Sequence, residues 1–164
     1  MLTIGVKASV CPSLQVRGPV GLSQPVLRSQ ERIPRLDVVG GHIHAEAILA
    51  QVLIVEDDAM ISMWVEDALI DAGYSVAVTS DADKAIAYLE NDDDIDLVFT
   101  DIDMPGSMDG LRLAAVIRDR WPPVNLIIAS GKHRPAKSDM PDHAIFLPKP
   151  YLHSDVVKAV RSFH

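Results

Sequence analysis

Leu97-Val98-Phe99-Thr100-Asp101-Ile102-Asp103-Met104-Pro105 decides how this chain is read. Its first half is apolar and rich in β-branched and aromatic side chains, the composition of a buried strand. The run stops on a carboxylate, Asp101. Met104-Pro105-Gly106 follows and prevents the strand from continuing. In an open α/β sheet, the carboxyl ends of the strands are where ligands and chemistry gather. Three other apolar runs end comparably, on Glu56-Asp57-Asp58, on Ser130-Gly131 and on Lys149-Pro150.

Working outward, strands and helices alternate. Val52 to Val55 forms a short apolar strand. Asp58 can cap a helix whose apolar positions are Ile61, Trp64, Val65, Ala68, Leu69 and Ala72, and Gly73 stops it. Tyr74 to Thr79 is a second strand. Ser80-x-x-Asp83 has the form of a capping box ahead of Ala85, Ile86 and Leu89. Ile95 to Thr100 is the third strand. Gly110 to Arg120 is a helix ended by Pro122-Pro123, and Val124 to Ala129 is the fourth strand. Between Lys132 and Asp142, Pro135 and Pro141 leave space for only a short or distorted helix. Ala144 to Leu147 is the fifth strand, and Ser154 to Phe163 the last helix.

Such alternation implies right-handed βαβ units and a parallel sheet covered on both faces. Five strands and five helices from Gln51 onward fit a doubly wound, flavodoxin-like domain with strand order 2-1-3-4-5. In that order strands one and three are neighbours, so Glu56, Asp57 and Asp101 converge on one crevice. Like charges in one crevice call for a cation. Oxygen donors suit Mg²⁺ or Mn²⁺ rather than zinc. A carboxylate, a divalent cation, the Ser130 hydroxyl and the Lys149 ammonium around one point suit transfer of a phosphoryl group, with Asp101 as nucleophile.

Composition limits the alternatives. The 164-residue chain is 48% hydrophobic, enough for a core, and its formal net charge of -8 disfavours nucleic-acid binding by phosphate neutralisation. The lone Cys11 cannot form an internal disulfide and fits a reducing, cytoplasmic setting. No apolar run approaches the ~20 residues of a membrane span. Residues 1–50 carry recurring prolines and no clear period, and are expected to form a flexible extension, or to reflect a start codon set too far upstream. Ile43 to Ala50 is expected to form a short helix. No signal-peptide pattern is present.

Residues 51–164 as a whole resemble the receiver domain of two-component response regulators. The resemblance rests on the order and spacing of VLIVEDD at 52–58, VFTDIDMP at 98–105, DGL at 109–111, IIASGK at 127–132 and FLPKP at 146–150. It implies a CheY-like fold, with Asp101 as phosphoacceptor and Asp57 as a direct Mg²⁺ ligand. Glu56 would hold metal-bound water, and Asp103 would offer its main-chain carbonyl. Ser130 is then the switch hydroxyl, Lys149 the phosphate-binding lysine, Phe146 the switch aromatic, and Lys149-Pro150 a cis peptide. A sensor histidine kinase or a histidine phosphotransfer protein would be the donor, and Asp101 would gain and lose its phosphoryl group by self-catalysis. Output would pass through an unidentified protein partner, from a monomer or weak dimer, with neither nucleic acid nor membrane involved.

The pattern departs from the family in two places. Gly106-Ser107-Met108 lengthens the loop after Pro105 by one residue, and the two prolines fall in the region of the fourth helix. With His164 directly after the last helix, the expectation is a stand-alone receiver. Asp58 reads as a helix cap, Asp92-Asp93-Asp94 as a solvated loop, and Trp64 and Trp121 as core. The six histidines show no repeating ligand spacing. Two rivals remain. One is a haloacid-dehalogenase-like phosphatase, which expects its Asp-x-Asp on the first strand. The other is a degenerate receiver that only binds partners.

Overall fold

A computed structural model describes residues 35–39, 42–46, 50–132 and 134–163, the first two stretches by backbone alone. Of the expected loose extension over residues 1–50, residues 1–34, 40–41 and 47–49 lie outside the described residues. Within the N-terminal segment, β1 (Arg35–Val39) and β2 (His42–Glu46) pair antiparallel, with Val39 opposite His42. This corrects the expected helix from Ile43. The dipeptide between the strands is Gly40-Gly41, a sequence favoured between hairpin strands, and Val38-Val39 ahead of it favours extended backbone.

The main domain runs β3 (Gln51–Val55), α1 (Ala59–Asp71), β4 (Ser75–Thr79), α2 (Ala82–Asn91), β5 (Ile95–Asp101), α3 (Gly110–Arg120) and β6 (Asn125–Ser130). It then continues through a 3-10 turn (Lys137–Asp139), β7 (Ile145–Pro148) and α4 (His153–Arg161). The sheet order is β4-β3-β5-β6-β7, with every pairing parallel. Counted within the domain this is the expected order 2-1-3-4-5. Among the described residues the expected fourth helix is reduced to one 3-10 turn between Pro135 and Pro141, where the prolines withhold the donors a longer helix needs.

Alternate strand residues serve opposite faces. Leu53, Val55, Val98, Leu126 and Ile128 meet Ala85 and Leu89 of α2 and Leu113 and Ile117 of α3. Val52, Ile54, Leu97, Phe99 and Ile127 meet Val65 and Leu69 of α1 and Val156 and Val160 of α4. Each side chain of this size buried from water contributes about 1.5–3 kcal/mol before chain entropy is charged. Trp64 and Trp121 pack on the two cores, as expected.

Carboxylates set the helix starts. Asp58 accepts from the N–H groups of Met60 (2.8 Å) and Ile61 (3.2 Å), so it is a cap. For α2 the cap is Asp81, which accepts from Lys84 N–H at 2.9 Å, instead of Ser80 one residue earlier. Ser80 donates to the Asp81 carboxylate at 3.1 Å. Gly73, at φ +90°, takes the left-handed conformation that ends α1 and turns the chain into β4. No helix among the described residues is long and apolar enough to cross a membrane.

Candidate functional site

The four site-bearing strand ends meet at one edge of the sheet. Thr100 of β5 pairs with Val55 of β3, and Ala129 of β6 with Asp101. The Ile102 N–H donates to the Ala129 carbonyl (2.9 Å), and the Lys149 N–H to the Ser130 carbonyl (2.9 Å). Glu56, Asp101, Ser130 and Lys149 are therefore carried on hydrogen-bonded neighbours. The Lys149-Pro150 peptide is cis, as expected.

Carboxylate oxygens of Glu56, Asp57 and Asp101 lie within 4.8 Å of one another, Asp57 exposed and the other two buried. Lys149 Nζ donates to Glu56 Oε2 at 2.8 Å and lies 3.1 Å from Asp101 Oδ1. The second contact is a close ion pair, and Asp101 Oδ1 is buried with that ammonium as its cationic neighbour. Three carboxyl groups face one ammonium. That excess of negative charge and the oxygen-only donor set fit a divalent cation such as Mg²⁺. Burial pushes the Glu56 carboxyl above its usual range, and the Asp101 charge adds to this, against the pull of Lys149. Burial works downward on Lys149, but the hydrogen bond and charge of Glu56, then Asp101, outweigh it and hold the ammonium above its usual range.

Asp103 stands apart from this cluster. Its Oδ2 accepts from Ser130 Oγ at 3.0 Å, and its Oδ1 lies 3.6 Å from Lys132 Nζ. Phe146, half-buried on β7, packs against the α2–α3 core with the Arg134 guanidinium 5.8 Å over its ring.

Three neighbours carried no assigned role in the sequence reading. Gly110 presses on the backbone of Asp101, and its motif was legible without its reason. Lys132 had no signal beyond standing two residues after Ser130. Tyr151 meets Trp64 (5.8 Å) and, edge-on, Phe99 (5.9 Å). Its hydroxyl is buried and has no hydrogen-bond partner among the described residues. Burial, reinforced by the charges of Glu56 and Asp101, keeps it protonated well above the usual phenol range. A cleft of about 550 Å³ opens beside Lys149 and Gly131, walled by Met60, Ile61, Trp64 and Tyr151.

The response regulator receiver domain family matches residues 52–161. The chain belongs to that family. Among curated relatives, the nitrogen assimilation regulatory protein NtrX of Azorhizobium caulinodans is 40% identical over 81 residues, 49% of this chain and 18% of that protein. The transcriptional regulatory protein HprR of Escherichia coli is 31% identical over 117 residues, 68% of this chain and 50% of that protein. The chain thus spans half or less of each of these two relatives. The structure of a response regulator receiver protein from Sinorhizobium medicae superposes with a TM-score of 0.64 at 31% identity, covering 69% of this chain and 92% of that one. The receiver's Asp-x-Asp begins on the last residue of the domain's third strand, β5, where a haloacid-dehalogenase-like phosphatase would need it at the first.

Proposed function

We propose that Asp101 is the phosphoacceptor of this receiver domain and that a phosphohistidine on a sensor histidine kinase or histidine phosphotransfer protein is its donor. The supporting observation is the buried Asp101 carboxylate, held between Glu56, Asp57 and Lys149, whose ammonium lies 3.1 Å from one of its oxygens. An Asp101 oxygen attacks phosphorus in line with the donor nitrogen. The P–O bond forms as the P–N bond breaks, and the imidazole leaves with its electron pair and takes up a proton. Lys149 sits where its charge meets the oxygens of the incoming group. Glu56, Asp57 and Asp101, with the Asp103 main-chain carbonyl, would hold Mg²⁺, which supplies positive charge to those oxygens. The cleft walled by Met60, Ile61, Trp64 and Tyr151, with Met60, Met63 and Leu152 exposed, offers the donor an apolar approach.

Residues 51–164 are the phosphorylatable unit in this reading, and residues 1–50 an extension that the chemistry does not need. Output is a population shift read by a protein partner in the cytoplasm. Ser130 turns toward the phosphoryl group, and Phe146 follows its loop. Phosphate loss is self-catalysed at the same site.

Labelling by acetyl phosphate with Mg²⁺ tests the acceptor. Asp101→Asn should abolish acid-labile phosphorylation while the fold survives, since the amide is isosteric and relieves a crowded anionic crevice. Undiminished labelling of the variant overturns the assignment.

A further inference from the structure

The Ser130 hydroxyl is already engaged. It donates to Asp103 Oδ2 at 3.0 Å and accepts from the Lys132 backbone N–H at 3.3 Å. Lys132 Nζ lies 3.6 Å from Asp103 Oδ1. Asp103, Ser130 and Lys132 therefore close a ring between the loops after β5 and β6. Ser130 is only 3% exposed, so water has little access to its side chain. A hydroxyl carries one hydrogen. It cannot give that hydrogen to Asp103 and to a phosphoryl oxygen on Asp101 at the same time.

We propose that Asp103 is a positioning residue: its carboxylate competes with the phosphoryl group for the Ser130 proton and so holds the resting form. This rests on Asp101 being the phosphoacceptor. An ionised carboxylate is among the stronger acceptors a hydroxyl can find, which makes the resting arrangement more than incidental. Asp103 keeps Lys132 as an ion-pair partner when Ser130 turns away. Its carboxylate is thus compensated in both arrangements, as a two-state element requires. Lys132 is 72% exposed, so its pull on Asp103 is screened, whereas the Ser130 hydroxyl that Asp103 engages is buried.

The test is a double-mutant cycle on the full chain, read as beryllofluoride affinity with Mg²⁺ present. Asp103→Ala keeps the main-chain carbonyl and should tighten beryllofluoride binding about tenfold, the exchange of one charge-assisted hydrogen bond. That gain should vanish when Ser130→Ala is the background. Asp103→Asn retains an acceptor oxygen without the charge and should give a smaller gain, which guards against a folding defect in the alanine variant. In the unliganded protein, Asp103→Ala should also speed hydrogen exchange at the Lys132 amide, whose acceptor is no longer held. Equal gains with and without Ser130 would mean that Asp103 acts through its charge alone, and would overturn the latch, as would no gain in either. If wild type binds beryllofluoride through Asp101 and Asp103→Ala changes nothing, only the latch falls. If Asp101→Asn leaves beryllofluoride binding intact, the acceptor assignment falls and the latch with it.

Discussion

Gly110 lies against the main-chain carbonyl of Asp101 so closely that a Cβ at position 110 would overlap the carbonyl oxygen. The same glycine's N–H donates to the Ile102 carbonyl at 3.1 Å. The first turn of α3 is thereby clamped to the end of β5, and Asp101 is held from behind. The DGL motif thus has a steric cause: Asp109 caps α3 through the Arg112 N–H at 2.8 Å, and Gly110 lets the helix approach the strand.

Gly110→Ala should therefore lower stability by about 2 kcal/mol or more, the scale of overpacking against backbone that cannot give way. The displaced Asp101 should also accept phosphate from acetyl phosphate more slowly. Urea unfolding and a labelling time course check both effects. A variant with an unchanged midpoint and rate would show that the loop yields without cost.

Asp57→Ala should weaken Mg²⁺ binding to the unphosphorylated protein at least about tenfold, because an exposed carboxylate ligand is lost from a small oxygen-donor set. Trp64 lines the cleft beside Lys149 and serves as the fluorescence reporter. Equal affinities in variant and wild type would place the metal elsewhere.

Glu56 predicts a pH signature. Its carboxyl is held above the ordinary 4.5, so the folded state binds this proton more tightly than the unfolded state does. Between the two values the folded chain carries more protons, and stability falls as pH rises through that window. Urea melts of the metal-free protein upward from pH 4.5 should show this fall, and Glu56→Gln should lack it. Saturating Mg²⁺ should flatten it in wild type. Identical slopes in the two proteins without metal would remove Glu56 as the cause.

The sheet order was legible because each apolar strand run ends on a polar residue and the runs alternate with helical spacing. The clustering of Glu56, Asp57 and Asp101 followed from that order. The collapse of the fourth helix was half-legible from Pro135 and Pro141, which forbid regular bonding but do not say what replaces it. The β1–β2 hairpin was missed because Gly40-Gly41 sits in a segment where Pro and Gly read as loosening, although the same dipeptide can also turn a strand. The contact of Ser130 with Asp103 joins side chains 27 residues apart and leaves no periodic trace. Resemblance pointed to the Asp103 main chain, whereas the structure brings its side chain into play. The shift of the α2 cap from Ser80 to Asp81 is a one-residue matter that the reach of a carboxylate decides.

Glu56 and Lys149 are 93 residues apart in sequence, one following the domain's first strand and the other its last. Their hydrogen bond can form only after β5 and β6, which lie between β3 and β7 in the sheet, have taken their places, since parallel strands pair through crossovers rather than local turns. A chain still emerging from the ribosome, or cut before β7, has the acidic residues but no ammonium to meet them. If Asp101 is the phosphoacceptor, competence for phosphoryl transfer therefore waits for the last strand, and an unfinished domain would not yet have it.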